Sequence, residues 1–204
     1  MLPKVLLMTP DDYGPNPQGL YIVAKTPAPL AGMAYPKKMD WGALSEQGIR
    51  WVVNLTESNP GYDPSPLSIL LAVSMQDQSG GFQPVDGDRE RESLDEVIRT
   101  VTSRLRAGEG VAVHCQGGTG RTGTVLACVL RRLGLPIEAV IDQMHAINKA
   151  RLKYPGWSGW PESDWQRRAL ENFFTRSVRL NGRRGLKPSE RHDRCCGEFQ
   201  CPFW

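Results

Sequence analysis

The segment from Val111 to Leu130 constrains the fold more than any other part of the chain. A short apolar run, Val111–Val113, leads into the loop His114-Cys-Gln-Gly-Gly-Thr-Gly-Arg-Thr-Gly123, and a second apolar run, Val125–Leu130, follows. This order predicts a strand, a tight loop and a helix. Such a loop directs backbone N–H groups and a helix N-terminus at one point, which favours the binding of a phosphate group.

The side chains of this loop suit phosphate-ester chemistry. Cys115 is the candidate nucleophile, because a helix N-terminus and a nearby cation favour the thiolate form of cysteine. Arg121 offers a planar fork of donors that can hold two phosphate oxygens, a geometry that lysine cannot match. The glycines allow the backbone to close around an anion. The predicted phosphate-binding residues are Gln116, Gly117, Gly118, Thr119, Gly120 and Arg121.

Two neighbours of the nucleophile are further candidates. Thr122 lies just past the arginine, where its hydroxyl can hydrogen-bond the sulfur and ease its departure. His114 precedes the cysteine and is expected to help set the shape of the loop and the ionisation of the thiol.

The pattern His-Cys-x5-Arg-Thr at residues 114–122 resembles the signature of the protein tyrosine phosphatase superfamily. Within it the chain looks most like the compact dual-specificity-type enzymes, near the kinase-associated-phosphatase-like branch, and the order of elements extends this resemblance over residues 19–175. The resemblance implies hydrolysis of phosphate monoesters on protein Tyr and/or Ser/Thr through a phosphocysteine intermediate. Cys115 would be the nucleophile, Arg121 the phosphate ligand and Thr122 an aid to the second step. It implies no metal and no other cofactor.

Other functions of the same loop have to be weighed. Gly118-Thr-Gly-Arg-Thr-Gly123 formally matches the dinucleotide fingerprint, which needs a second strand ending in an acidic residue about 20 positions later. Here Gly134-Leu-Pro136 and another helical pattern follow, so we discount an oxidoreductase. Two alternatives stay open: a phospho-binding module with weak or no turnover, and a phosphatase for a phosphoinositide, nucleotide or sugar phosphate. Neither Gln116 nor Thr119 is basic, which disfavours a highly charged inositide.

The general acid is expected between the predicted strand 69–75 and the helix that follows it. This carboxylic acid would protonate the leaving oxygen and then act as base for water. Asp77 follows the strand directly, in a segment that resembles the acid loop of the family, and is our prediction. Asp86 and Asp88 are the alternatives, since they lie nearer to the family's usual interval from the cysteine. However, Asp86-Gly-Asp88 is also typical of a turn or a helix cap.

The rest of the chain alternates strand and helix patterns, which predicts an α/β fold with a central, mostly parallel sheet flanked by helices. Ligands of such sheets bind beyond the carboxyl ends of the strands, where residues 114–121 would lie. We expect an irregular N-terminal arm at 1–18, a phosphatase domain at 19–176 and a basic, flexible tail at 177–204. The predicted strands are 20–24, 30–34, 49–55, 69–75 and 111–114, and the predicted helices are 41–47, one after Arg91, 123–133, 137–151 and 162–176.

Composition bounds the partners and the compartment. The 204 residues are 40% apolar and 23% charged, and no apolar run approaches the roughly 18 residues of a membrane span. Five cysteines without a disulfide framework indicate a reduced compartment, so a cytoplasmic location is expected. Residues 175–204 hold seven Lys/Arg and three Asp/Glu, and this basic tail is expected to contact an anionic partner. A phosphorylated protein or peptide is the expected substrate, with no nucleic-acid partner.

Several other residues have a structural and a functional interpretation. Trp160 and Trp165 belong to an aromatic segment that we expect to pack against the core, with stacking on a substrate ring as the alternative. Gln166 is either a surface residue of a helix or, as its resemblance to a glutamine in the family's last conserved segment implies, a residue that helps to place the hydrolytic water. Cys128 and His145 are expected to be structural. Zinc binding by His192, Cys195, Cys196 and Cys201 is disfavoured, because two of these cysteines are adjacent.

Overall fold

The computed structural model describes residues 5–8, 19–56, 61–151 and 159–181, with side chains described up to residue 172. One five-stranded sheet runs through this part, in the order β1-β2-β5-β3-β4, and all of its strand pairs are parallel except β1 with β2. This confirms the predicted α/β class. The elements in chain order are β1 (Tyr21–Ala24), β2 (Leu30–Met33), α1 (Trp41–Glu46), β3 (Ile49–Asn54), β4 (Ser68–Ala72), α2 (Gly87–Arg106), β5 (Gly110–His114), α3 (Gly120–Arg132), α4 (Ile137–Arg151) and α5 (Asp164–Asn181).

Strand β5 lies in the middle of the sheet and is buried along its whole length. Val111 and Val113 face the larger core, which helices α2, α3 and α4 complete, whereas Ala112 faces a smaller core on the side of α1. Because both faces of the strand are covered, its sequence is a nearly continuous run of apolar residues rather than an alternation of apolar and polar ones. The loop that follows β5 is therefore anchored at the buried centre of the sheet.

Capping residues explain where several helices begin. Oδ1 of Asp40 accepts a hydrogen bond from the Ala43 amide at 2.9 Å and starts α1, as the sequence predicts. Helix α2 begins at Gly87, before the first apolar residue of its stripe, because the Asp86 carboxylate caps it through the Arg89 amide at 3.0 Å. Apolar periodicity alone therefore placed the start of this helix too late.

Other boundaries also differ from the prediction. Helix α5 was expected to start beside Pro161, but it starts at Asp164 and continues to Asn181, five residues past the expected end of the domain at 176. Strand β4 ends at Ala72 rather than at residue 75. The chain still follows β3 beyond that point, because the amides of Val73 and Met75 donate to carbonyls of Asn54 and Leu55.

Part of the N-terminal arm is ordered against the sheet. Leu7 forms an antiparallel bridge with Ala24, and the amide of Lys25 donates to the carbonyl of Leu6 at 2.9 Å. Residues 5–8 thus lie along the outer edge of β1 through one isolated bridge, without forming a strand of their own. The predicted basic tail lies outside the described residues from 182 onward.

Candidate active site

The candidate nucleophile lies at the carboxyl end of the central strand, in the loop between β5 and α3. Cys115 is only 3% exposed, and the amide of Gly118 donates a hydrogen bond to its Sγ at 3.3 Å. Helix α3 starts five residues after the cysteine, at Gly120. The sulfur therefore lies beside a backbone N–H group at the positive end of a helix, an arrangement that suits an anionic ligand.

The carbonyl groups of this loop are held from outside. The Tyr35 amide donates to the Gln116 carbonyl at 3.1 Å, while the Tyr21 hydroxyl and the Arg151 guanidinium donate to the Gly118 carbonyl at 2.7 and 3.1 Å. In a trans peptide the N–H points away from the C=O. The amides that follow these two carbonyls are therefore turned toward the interior of the loop, which makes the loop a cradle for an anion.

Gly118 has a backbone conformation and a position that only glycine suits. Its φ is +72°, and a Cβ atom added to it would lie 2.6 Å from the backbone of Met33 and Ala34. The loop therefore packs directly on the end of β2, and any side chain at this position would push it away from the sheet.

Arg121 and Asp77 meet although they are 44 positions apart in sequence. The Arg121 side chain, 10% exposed, donates through Nη1 to the Met75 carbonyl at 3.2 Å and through Nη2 to Oδ2 of Asp77 at 2.7 Å. The Ser79 amide donates to the other carboxylate oxygen, Oδ1, at 2.9 Å. Burial raises the pKa of Asp77, but the Ser79 hydrogen bonds and the charge of Arg121 outweigh burial and leave the pKa below its ordinary value. Asp77 thus occupies the fork that a phosphate group would take.

The alternative acids lie elsewhere. Asp86 is engaged as the N-terminal cap of α2, and Asp88 forms an exposed ion pair with Arg91 at 2.7 Å. Of the three aspartates, only Asp77 is in contact with Arg121 in the described part of the chain.

Replacing Asp86 by alanine is expected to lower the free energy of unfolding by about 1 kcal/mol, because α2 loses the side chain that caps it. Urea denaturation followed by circular dichroism measures this change. Phosphate binding, measured by calorimetry, should stay at the wild-type value. A weakened affinity for phosphate, with the fold intact, would return Asp86 to the list of candidate site residues.

His114 is buried at the end of β5 and acts as a neutral residue. Its Nδ1 contacts the Cys115 carbonyl at 3.4 Å, and its Nε2 is hydrogen-bonded to the Tyr62 hydroxyl at 2.5 Å. Burial lowers the pKa of His114 to about 4, the hydrogen bond to Cys115 opposes this shift, and the charge of Arg121 adds to it. His114 therefore brings shape and hydrogen bonds to the loop at neutral pH, and no positive charge.

The two threonines of the loop region have buried hydroxyl groups. Neither Oγ1 of Thr119 nor Oγ1 of Thr122 has a hydrogen-bond partner among the described residues. The expected hydrogen bond from Thr122 to the sulfur of Cys115 is thus absent from this structure, and the role of this hydroxyl in the second step stays a prediction.

Two carboxyl groups near Arg121 were not anticipated from the sequence. Glu162 is half-buried next to Gly120. Burial and the negative charge of Asp77 raise its pKa, while Arg121 and Gln166 oppose the rise. Glu90 is buried on α2 and accepts hydrogen bonds from the Gln76 amide at 3.1 and 3.3 Å. No local pattern marks either residue, because both reach the site through contacts between distant elements.

The segment that carries Asp77 is tied to the body of the protein on both sides. The Glu90 carboxylate holds the Gln76 amide, and the hydroxyl of Ser163, at the start of α5, donates to Oε1 of the buried Gln78 at 2.6 Å. Asp77 lies between these two anchors. Its position over Arg121 is therefore set by helices α2 and α5.

The aromatic residues beyond α4 pack in the core. Trp160 is 1% exposed and its Nε1 donates to the Thr124 hydroxyl at 2.9 Å, and Trp165 is also buried. This confirms packing, rather than substrate stacking, for these two tryptophans.

Cys128 is fully buried in α3, and burial raises the pKa of its thiol to about 12, so it is a core residue as expected. Gln166 was expected to be either a surface residue or a functional one. It is 1% exposed, so it is not a surface residue.

Neither a metal-binding cluster nor a membrane-spanning helix occurs in the part of the chain that the structure describes. Among these residues, no group of three or more His, Cys, Asp or Glu side chains is arranged to hold a metal ion. None of their helices combines the length and the apolar character that crossing a membrane requires. The cysteines and the histidine of the tail lie outside this part of the chain.

Comparisons of sequence point to one family. Residues 28–135 match the family model described as "Polymorphic toxin system, DSP-PTPase phosphatase", a range that includes β2 through α3 and the whole loop. A curated relative from Invertebrate iridescent virus 3, "Putative tyrosine phosphatase 067L", is 24% identical over 149 residues, which are 69% of this chain. The chain spans 60% of the length of that relative.

Comparisons of structure agree with the architecture. Human DUSP28 superposes with a TM-score of 0.53 at 16% identity, over 74% of this chain and 94% of that one. TpbA of P. aeruginosa superposes with a TM-score of 0.52 at 17% identity, over 87% of this chain and 94% of that one. At these identities the similarity establishes a shared fold.

Proposed function

Because the chain belongs to the DSP-PTPase phosphatase family of polymorphic toxin systems, we propose that it is a cysteine-dependent phosphatase. It hydrolyses phosphate monoesters on protein Tyr and/or Ser/Thr through a phosphocysteine intermediate. The observation that carries the proposal is the meeting of three groups at the end of β5. These are the sulfur of Cys115, the backbone amides that point into its loop, and the guanidinium of Arg121, which is paired with the carboxylate of Asp77.

In the first step the Cys115 thiolate attacks the phosphorus atom, the P–S bond forms and the bond to the leaving oxygen breaks. The loop amides and Arg121 stabilise the charge on the phosphoryl oxygens. Arg121 exchanges Asp77 for the phosphate when substrate binds. The released carboxyl then faces a dianion in place of a cation, which favours its protonated form and prepares it to donate a proton to the leaving oxygen.

In the second step a water molecule attacks the phosphocysteine. The P–O bond forms, the P–S bond breaks with its electron pair remaining on sulfur, and inorganic phosphate leaves. The buried Thr122 hydroxyl has no partner among the described residues, so it is free to donate to the departing sulfur after a small rotation.

A protein substrate is favoured by the surroundings of the site. Phe82 and Val85, in the segment between Asp77 and α2, are 70% and 95% exposed. These apolar side chains offer contacts to a polypeptide, whereas the neutral Gln116 and Thr119 offer no charge for additional phosphates. We propose that this chain, like the family to which it belongs, acts in a polymorphic toxin system. We propose a reducing cytoplasm as its site of action, since oxidation would inactivate the nucleophile.

Phosphate release from a panel of substrates tests this assignment. We expect turnover of phosphotyrosine peptides, phosphoserine/threonine peptides or both to exceed turnover of phosphoinositides, nucleotides and sugar phosphates in kcat/KM. A phosphoinositide, nucleotide or sugar phosphate that surpasses every phosphopeptide would overturn the protein-substrate assignment.

Replacing Asp77 by asparagine is expected to lower kcat by about 10²–10⁴-fold, because the leaving oxygen loses its proton donor. A phosphopeptide or another substrate with a poor leaving group is the right probe, since p-nitrophenolate departs without much help. Asp86→Asn is the matched control and should keep the wild-type kcat. Normal turnover by Asp77→Asn, together with a loss in Asp86→Asn, would transfer the role of acid to Asp86.

A further inference from the structure

Two exposed apolar side chains follow the candidate acid along the chain. Within the described ranges, the exposed large apolar residues are Leu6, Phe82 and Val85. Leu6 lies beside the outer edge of β1, whereas Phe82 and Val85 both belong to the segment between Asp77 and α2. A single exposed apolar side chain is ordinary on a protein surface. Two of them beside a candidate active site form a surface of their own, and we call Phe82 and Val85 together the apolar rim.

Local contacts hold the apolar rim near Asp77. The Val85 amide donates a hydrogen bond to Oε1 of Gln76 at 2.7 Å, so the end of the segment returns to the residue that precedes the acid. The ring of Phe82 folds back over Gly80, with Cε2 at 3.3 Å from the place that a Cβ atom would take on that glycine. Both rim residues therefore have defined positions close to the acid.

The segment directs a polar side chain inward and an apolar one outward. Gln78 is 2% exposed and accepts a hydrogen bond from the Ser163 hydroxyl at 2.6 Å, whereas Phe82 is 70% exposed. Oε1 of Gln83 accepts from the Arg168 guanidinium at 3.0 Å, which ties the same segment to α5. This arrangement is the reverse of what solvation alone favours, because apolar area stays in water. It is the arrangement expected of a surface that binds a partner.

The charge of the segment indicates the chemistry of that partner. Residues 78–85 read Gln-Ser-Gly-Gly-Phe-Gln-Pro-Val and contain no ionisable side chain. The next two carboxylates along the chain are engaged, since Asp86 caps α2 and Asp88 pairs with Arg91 at 2.7 Å. A charged side chain placed on the apolar rim would lose hydration and find no opposite charge within the segment. The rim therefore suits an apolar side chain.

The position of the rim indicates where this side chain belongs. In the proposed phosphatase reaction, the phosphoryl group lies in the loop of Cys115 and its leaving oxygen faces Asp77. The residues on either side of the phosphorylated one then pass the segment that carries Phe82 and Val85. Resting on that proposed function, we propose that Phe82 and Val85 bind the substrate polypeptide and select an apolar residue next to the phosphorylated one.

Phosphate release from one phosphopeptide in three versions tests this inference. The versions differ only in the two residues that flank the phosphorylated one, which are both leucine, both aspartate or both lysine. The wild-type protein is expected to show a kcat/KM about 10-fold higher for the leucine version than for either charged version, because leucine buries apolar area on the rim. The double variant Phe82→Ser/Val85→Ser should turn over the three versions with nearly equal kcat/KM. These ratios do not depend on the fraction of the protein that is folded, since each is measured on one sample.

Leu6→Ser is the matched control, because it removes the third exposed apolar side chain, which lies beside β1 rather than beside Asp77. It should keep the wild-type preference for leucine. A wild-type protein that does not distinguish the three peptides, or a double variant that keeps the preference, would overturn the inference.

Light scattering on the same samples tests the other occupant of the rim, a second copy of this chain. A wild-type dimer that dissociates in the double variant, with the preference for leucine unchanged, would assign the rim to self-association and overturn the inference. Absence of Cys115-dependent hydrolysis of p-nitrophenyl phosphate by the wild-type protein would instead remove the proposed function itself.

Discussion

Replacing Cys115 by serine is expected to lower kcat by about 10⁴-fold or more while the protein still binds phosphate. The hydroxyl of serine is a far weaker nucleophile than a thiolate, and no neighbouring base activates it, since His114 directs its two ring nitrogens to Tyr62 and to the Cys115 carbonyl. The groups that hold the anion, which are the loop amides and Arg121, remain in place. Hydrolysis of p-nitrophenyl phosphate without added metal measures turnover, and calorimetry measures phosphate binding.

Cys128→Ala is the matched control for this loss. Cys128 lies in the core of α3, fully buried and away from the loop, so its removal should affect stability and leave kcat unchanged. Turnover by Cys115→Ser at the level of the Cys128→Ala control would show that the chemistry does not pass through Cys115.

Replacing Arg121 by lysine is expected to lower kcat/KM by about 10²–10³-fold, although the charge is kept. The guanidinium donates from two nitrogens at once, to Met75 and Asp77 in the unliganded protein, and can turn the same fork to two phosphate oxygens. An ammonium group at this position has no such planar pair of donors, so it holds the phosphoryl group in a less defined orientation. Initial rates with p-nitrophenyl phosphate and a phosphopeptide measure the effect.

The control for this variant is Arg99→Lys, which changes an exposed ion pair with Asp95 on the solvent side of α2. Its kcat/KM should equal that of the wild type. If Arg121→Lys were as active as Arg99→Lys, a point charge would suffice at this position and the bidentate interpretation would be wrong.

The residues of the nucleophile loop could be predicted because their chemistry is local. Cys115 and Arg121 lie on one short segment, and the strand and the helix on either side are visible as apolar runs. The architecture followed from the alternation of strand and helix patterns along the chain, which predicts a central, mostly parallel sheet. Asp77 was within reach as well, because it lies just past the segment that continues along β3 as far as Met75.

What escaped prediction depends on contacts between distant elements. Tyr21 and Arg151 hold the Gly118 carbonyl from 97 and 33 positions away, and nothing in the local sequence of either residue signals that contact. Glu162 contacts the loop from the segment before α5, because this helix starts at Asp164, two residues later than predicted. A proline is tolerated in the first turn of a helix, but it does not fix where the helix begins. Here the beginning is marked by the Ser163 hydroxyl, which accepts a hydrogen bond from the backbone amide of Gln166 at 3.3 Å.

The most direct test of a cysteine-dependent phosphatase is to trap the phosphorylated enzyme. A wild-type sample mixed with a phosphopeptide and quenched in acid within the first turnovers should yield, by mass spectrometry, a phosphoryl group on the peptide that contains Cys115. The Cys115→Ser protein treated in the same way should yield none. Turnover of the phosphopeptide with no phosphorylated Cys115 at any quench time, or with the phosphoryl group on another residue, would contradict the mechanism.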